Sequence, residues 1–235
     1  MISIKHKTLA LFLICQSFLF LSTSVNSATV SLNFSGEITE ILNDTGSSSF
    51  SGLAVNDIFS GEFTYGQNES DASSPPFVSP PSAFWLFEGA TYGASLTTPM
   101  GTQNTPNTEV IITNNDVMGI EAAQFVTSMT GINVSAGDLF DAWEVSSFDI
   151  NNNIGISLLL LSLDSNLYNN LGYQTAPSSL GDIDLALLFV QQLNNQGEII
   201  YDATGVLNQV STIPLPPAIY LFMAGLFSLF IRTRV

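Results

Sequence analysis

The sequence predicts an all-β protein, an antiparallel β-sandwich of the jelly-roll-like kind, and two patterns carry this prediction. Apolar residues alternate along many short segments, as Val30, Leu32 and Phe34 do, so that one face of each segment would be buried. Clusters of Gly, Asn, Ser and Pro separate these segments, which is typical of antiparallel sandwiches and jelly rolls. The segments do not alternate with helical patterns, so a Rossmann-like fold is not indicated.

The other strands are predicted from the same two-residue period. The nearly continuous apolar run 154–163 predicts a strand that is buried on both faces. The segments 182–193 and 198–207 flank the turn sequence NNQG and predict a hairpin, although 182–193 would also suit a helix. The proline-rich segment 72–85 predicts a long surface loop. Further strands are predicted at 59–65, 84–96, 108–113, 122–129 and 142–150.

All positive charge lies at the two ends of the chain. The central body, residues 29–210, contains all twenty acidic residues and no Lys, Arg, His or Cys, which gives it a formal charge of −20. This composition excludes Ser-His-Asp, Schiff-base and thiol chemistry, and it argues against nucleic-acid binding. Carboxylate chemistry is what remains, either cation coordination or a paired-carboxylate hydrolase. The basic residues are Lys5, Lys7, Arg232 and Arg234.

Residues 1–28 have the layout of a secretory signal peptide. Lys5 and Lys7 precede an apolar run from Leu9 to Leu21, and small residues then supply a cleavage zone ending near Ala28. The alternative is an uncleaved membrane helix, for which the apolar run is short. We therefore expect export through the Sec and signal peptidase machinery.

Calcium is the only cofactor that the body suggests. Asp149, Asn151 and Asn153 have the alternate spacing of calcium loops, and Asp182 with Asp184 would face one side of a strand. The first set lacks the glycine and glutamate of an EF-hand, and both sets also suit ordinary turns, which we favour.

Two tryptophans are candidates for a sugar-binding platform. Trp85 and Trp143 could stack on a carbohydrate if they were exposed, but a large aromatic side chain in a small sandwich more often belongs to the core. Exposure of these two side chains therefore decides between the two interpretations.

The C-terminal segment, residues 211–235, predicts a membrane-inserted helix. Fourteen mostly apolar residues, Ala218 to Ile231, precede Arg232 and Arg234, which place the C-terminus in the cytoplasm by the positive-inside rule. The helix would rise about 21 Å, whereas the hydrocarbon core of a bilayer is roughly 30 Å thick. This short span suits a transient handle better than a permanent anchor.

The same segment resembles the PEP-CTERM sorting signal of Gram-negative bacteria, in its VPLPA variant. The resemblance lies in a proline motif, an apolar helix and terminal arginines in that order, with Ile in place of Val and a second Pro in place of the final Ala. It implies that an exosortase, a transpeptidase-like membrane enzyme, cuts near the motif. The motif residues are Ile213, Pro214, Leu215, Pro216 and Pro217.

A further resemblance lies in residues 54–71, which are similar to a strand found in exported proteins with this tail. It implies a β-sandwich without assigned activity, released to the cell surface or the exopolysaccharide layer and associated with biofilm. We therefore expect an exported, non-enzymatic surface or extracellular-matrix protein. One alternative is a carbohydrate-binding module, assisted by calcium or not, and a second is a paired-carboxylate glycan hydrolase.

Overall fold

The computed structural model describes residues 29–164 and 167–214, which form a mostly β structure. The predicted signal peptide, with Lys5 and Lys7, lies outside the described residues. So do Leu215 to Pro217 and the predicted C-terminal helix with Arg232 and Arg234. Among the helices in the described part of the chain, none is both long enough and apolar enough to cross a membrane.

Eleven strands form one antiparallel sheet, which confirms the predicted antiparallel all-β fold. Their order across the sheet is β3-β4-β7-β8-β9-β10-β11-β1-β2-β5-β6. In chain order the strands are β1 (Thr29–Asp44), β2 (Ile58–Gly66), β3 (Phe77–Ser79), β4 (Ser82–Phe87), β5 (Gly93–Thr98), β6 (Gly101–Pro106), β7 (Thr108–Val117), β8 (Leu139–Asp149), β9 (Ile154–Ser162), β10 (Leu185–Leu193) and β11 (Ile199–Pro214).

The sheet folds back on itself, so that its two halves enclose one core and the structure is sandwich-like. The hydroxyl of Thr108 on β7 donates to the carbonyl of Thr64 on β2 over 2.9 Å, although these strands are not neighbours in the sheet. The hydroxyl of Ser147 on β8 reaches the carbonyls of Pro106 and Asn107 at 3.0 and 2.7 Å. The inward faces of both halves contribute to a single apolar cluster.

The predicted alternation and the predicted hairpin are confirmed. Val30, Leu32 and Phe34 are all buried in that cluster. The apolar run of 154–163 forms β9, whose inward residues join the core while Leu161 on the opposite face is also buried. Residues 182–193 contain β10 as a strand, and Gly197 adopts the left-handed backbone (φ 81°) that closes the turn to β11.

The prediction of a strand at 122–129 was wrong, because this segment belongs to helix α1 (Ile120–Thr130). Ala123 and Val126, three residues apart, face the outer side of the sheet and pack with Leu161 and Leu187. Gly131 ends the helix with a left-handed backbone (φ 72°) and donates to the carbonyl of Thr127.

The prediction of a surface loop over the whole of 72–85 was also wrong. This segment contains β3 and the start of β4, which pair as a hairpin at one edge of the sheet. Its prolines lie outside the two strands, at positions where no ladder donor is lost.

The loop from 167 to 184 closes one end of the core. The indole nitrogen of Trp143 donates to the carbonyl of Gln174 over 3.1 Å, and the amide of Ala176 donates to the hydroxyl of Tyr65. The fully buried carboxylate of Asp141 accepts the amide of Tyr168 at 2.8 Å and that of Asn115 on β7 at 2.7 Å. One carboxylate therefore ties the loop to two strands of the sheet.

Candidate binding groove

The two tryptophans are not a carbohydrate platform, which corrects that candidate. Trp85 is 1% exposed and Trp143 is 0% exposed. Both lie at inward positions of their strands. The ring of Trp143 packs against that of Tyr65, with the two ring centroids 5.5 Å apart. Neither ring has a face that a sugar could reach, because both belong to the core cluster.

The first calcium candidate forms the turn between β8 and β9. The carboxylate of Asp149 accepts the amide of Asn151 at 2.8 Å and the side-chain nitrogen of Asn152 at 2.6 Å. The hydrogen bond from the Asn152 side chain lowers the pKa of Asp149 most, and the backbone amides of the turn lower it further. Asn153 has a left-handed backbone (φ 53°), as Asn tolerates in turns. An ordinary turn therefore explains the geometry of Asp149, Asn151 and Asn153.

The second calcium candidate lies at the other end of β9. Asp184 precedes β10, and its carboxylate accepts the amide of Leu163 at 2.7 Å, while Asp182 is exposed on the same loop. The structure does not bring this pair to Asp149, because the two sets flank opposite ends of a strand. Within 29–164 and 167–214, no three or more His, Cys, Asp or Glu side chains are grouped so as to hold a metal ion.

The structure instead shows a groove on the outer face of the sheet, which was not among the predicted sites. The groove has a volume of about 820 Å³, within the range of small-molecule sites, and it runs across β8, β9, β10, β11 and β1 beside helix α1. We call it the outer groove. Its lining residues are Glu40, Leu42, Phe125, Glu144, Ser146, Ser147, Phe148, Gly155, Ser157, Phe189, Gln191, Asp202 and Thr204.

Strand register explains how these residues meet. Ser146 lies opposite Ser157, which lies opposite Phe189, and the row continues through Thr204 to Glu40. A second row, displaced by two residues along the strands, contains Phe148, Gly155, Gln191 and Asp202. Because side chains alternate between the faces of a strand, both rows point away from the core.

Three phenylalanines give the outer groove apolar walls. Phe148 is 46% exposed, and its ring lies over Gly155, which has no side chain to fill the space. Phe189 stands on β10 between Ser157 and Thr204, and Phe125 approaches from α1. Aromatic rings on an outer face are costly to leave in water and are a common feature of binding sites.

Three carboxylates, from Glu40, Glu144 and Asp202, stand among these rings. The carboxylates of Glu40 and Glu144 have no hydrogen-bond donor among the residues that the structure describes. Burial, followed by the charge of Glu109 on the neighbouring strand, raises the pKa of Glu144. Glu144 also lines the apolar crevice beneath α1, which accounts for its desolvation.

The third carboxylate of the groove, that of Asp202, is also perturbed. Burial raises the pKa of Asp202, a hydrogen bond from Gln191 opposes this rise, and the charge of Glu40 adds to it. Perturbed carboxylates in a cleft are candidates for function, since burying a charge without a partner costs free energy. The outer groove can thus hold a ligand with an apolar face and several hydrogen-bond donors.

A second, smaller depression lies on the outer face of β11, β1, β2 and β5. Its volume is about 400 Å³, and hydroxyl and amide side chains such as Asn33, Ser60 and Ser95 dominate its lining. The carboxylate of Glu62 here accepts the hydroxyl of Ser31 at 2.5 Å. This surface therefore lacks the unpartnered carboxylates and the exposed rings of the outer groove.

Comparison of the chain with protein-family models, with curated proteins and with solved structures finds no match. The interpretation of the outer groove therefore rests on its own residues.

The raised pKa of Glu144 predicts that its ionised form destabilises the fold. When a carboxyl has a folded-state pKa above its unfolded value of 4.5, the folded protein binds more protons between the two values, and stability falls as pH rises through that interval. We expect Glu144→Gln to raise the Tm by a few degrees at about pH 7.5 and to have little effect at about pH 4.

Glu88→Gln is the matched control, because it removes the same charge from an exposed position. Calorimetry at both pH values measures the Tm of the two variants. If both variants raise the Tm by the same amount at neutral pH, then ionised Glu144 does not destabilise the fold more than an exposed carboxylate does.

Proposed function

We propose that the chain is an exported, non-enzymatic protein of the cell surface or extracellular matrix, whose jelly-roll-like sandwich binds glycan chains through the outer groove. The proposal depends on one observation, the combination of exposed phenylalanine rings with unpartnered carboxylates across five adjacent strands. The acidic body, with twenty carboxylates and no basic residue, supports binding of an uncharged or cationic ligand.

The chemistry of sugars fits the two kinds of side chain in the groove. A pyranose ring has an apolar face of C–H groups, which packs well on the rings of Phe148 and Phe189. Its hydroxyl groups are donors, which the carboxylates of Glu40 and Glu144 can accept. The hydroxyls of Ser146 and Ser157 add groups that both donate and accept.

The sorting route is a proposal that rests on the tail sequence. Strand β11 continues past residue 210, so Ile213 and Pro214, the first two residues of the proposed motif, pair with β1. A cut after Pro214 would leave this strand and its pairing intact. In this account, signal peptidase and an exosortase process the chain, and the segment 218–231 holds it in the inner membrane until the body reaches the surface or an exopolysaccharide layer.

Paired-carboxylate glycan hydrolysis is the second candidate function. Asp202 and Glu40 are diagonal neighbours on β11 and β1, and diagonal positions are about 7–8 Å apart. The raised pKa of Asp202 is the specific observation that favours this candidate, because a general acid must stay protonated. Calcium assistance at Asp149 or Asp184 stays a prediction for either function.

Phe148→Ala is expected to weaken glycan binding about tenfold, because it removes an exposed ring of the groove, a loss of about 1.4 kcal/mol. Calorimetric titration of the folded body with neutral, amine-bearing and carboxylate-bearing oligosaccharides measures this affinity. Ile150→Ala is the control, since Ile150 is 76% exposed and does not line the groove.

Two outcomes of the titration would overturn the proposed function. The first is that no oligosaccharide binds, and the second is that both variants weaken binding equally. Recovery of shortened oligosaccharides from the same mixtures would instead favour the hydrolase, and Asp202→Asn should then abolish the shortening.

The sorting proposal predicts a shortened C-terminus. Mass spectrometry of the protein from its native host should find a C-terminus between Pro214 and Pro217. A chain carrying Pro214→Ala and Pro216→Ala should keep its full length, because the motif is lost. An intact Val235 in the unaltered protein would contradict processing and favour a permanent anchor.

A further inference from the structure

We propose that the outer groove selects glycans whose sugars carry free, protonated amino groups. Neutral and N-acylated chains would bind more weakly, and acidic chains would be excluded. This inference rests on the proposed glycan-binding function and names its ligand class.

The arrangement of the carboxylates supports an extended ligand with several positive groups. Glu144 stands on β8, whereas Asp202 and Glu40 stand on β11 and β1 at the other side of the groove. Two strands, β9 and β10, separate β8 from β11, so the strands that carry Glu144 and Asp202 lie about 14 Å apart at ordinary strand spacing, and Glu40 lies one strand further on. Different sugar units of one chain would therefore meet the two sides.

The unpartnered state of these carboxylates favours an ammonium group over a hydroxyl. In the described part of the chain, Glu40 and Glu144 have no donor, and no lysine, arginine or histidine occurs between residues 29 and 210. A protonated amine offers three donors and a full charge, and charge-assisted hydrogen bonds are about twice as strong as neutral ones. The faces of Phe148 and Phe189 would also attract a cation.

The same charges oppose an acidic glycan. A chain of uronic acids would bring carboxylates towards Glu40, Glu144 and Asp202 without any cation of the body to offset them. The repulsion acts within about 10 Å at moderate salt. Both the carboxylates of the groove and the negative charge of residues 29–210 therefore disfavour the binding of acidic glycans.

The position of the groove favours a glycan over a basic peptide. Peptides commonly add to the edge of a sheet and use its free backbone groups. Strands β8 to β11 each have a neighbour on both sides, so their backbone groups are already paired. The floor offers instead the side chains of Ser146, Ser157 and Gln191, which suit the hydroxyl-bearing edge of a sugar.

The test compares glucosamine oligomers of one length, either free or fully N-acetylated, with a uronic acid oligomer. Titration of the folded body at about pH 6 keeps most of the sugar amines protonated, although the neighbouring oxygen-bearing carbons lower their pKa below that of a lysine amine. We expect the free-amine chain to bind at least about tenfold more tightly than its acetylated counterpart. This preference should shrink as salt rises, since added ions screen the charges. The uronic acid chain should not bind.

Two variants separate the groove from the general charge of the body. A chain with Glu40→Gln and Glu144→Gln should reduce the ratio of the two affinities severalfold. Glu88→Gln removes an exposed charge outside the groove and should leave the ratio unchanged. If the double variant leaves the ratio of the affinities for free and acetylated chains unchanged, then Glu40 and Glu144 do not cause the selectivity.

The remaining outcomes distinguish this inference from the function on which it rests. Equal affinity for free and acetylated chains would overturn the selectivity and leave glycan binding standing. Failure of every chain to bind would overturn glycan binding itself. Tighter binding of a lysine-rich peptide, with the same dependence on Glu40 and Glu144, would reassign the groove to basic peptides.

Discussion

The lack of any cation in the body is the constraint on which the rest of the structure depends. With no lysine, arginine or histidine between residues 29 and 210, carboxylates cannot form salt bridges there and must use neutral donors or water. Backbone amides take this role for many aspartates, and Asp141 is the most important because it is fully buried and ties the 167–184 loop to the sheet. Others that accept backbone amides are Asp44, Asp57, Asp71, Asp116, Asp138, Asp149 and Asp184.

The carboxylates of the outer groove differ from these structural ones. Glu40 and Glu144 lack a donor among the described residues, and the raised pKa of Glu144 records the cost of holding its charge there. A carboxylate that stabilises a turn accepts its hydrogen bonds from its own chain. One that has no donor and lies beside exposed rings can accept hydrogen bonds from a ligand. The position of such carboxylates beside exposed rings in one groove is what locates the proposed site.

Sequence reasoning could predict many of the strands, but it missed β3 and β6 and could not locate the groove. Alternation and turn residues locate β1, β2, β7 and β9 because burial of one face imposes a local period. The segment of α1 was mistaken for a strand because its short apolar pattern suits both periods until it packs on Leu161 and Leu187. The outward position of Phe148 is visible in the sequence as an aromatic among polar neighbours. Its meeting with Phe189, Glu40 and Asp202 depends on strand order, which no local pattern encodes.

The unpartnered carboxylates and rings of the outer groove form the proposed ligand site. The most direct measurement is a nitrogen-15 amide spectrum of the folded body, recorded while a free-amine glucosamine oligomer is added. We expect shifts that concentrate on β8 to β11 around Ser146, Phe148 and Gln191 and that saturate as the ligand is added. Shifts confined to the polar depression around Asn33 and Ser95, or an unchanged spectrum at the highest ligand concentration, would contradict this proposal.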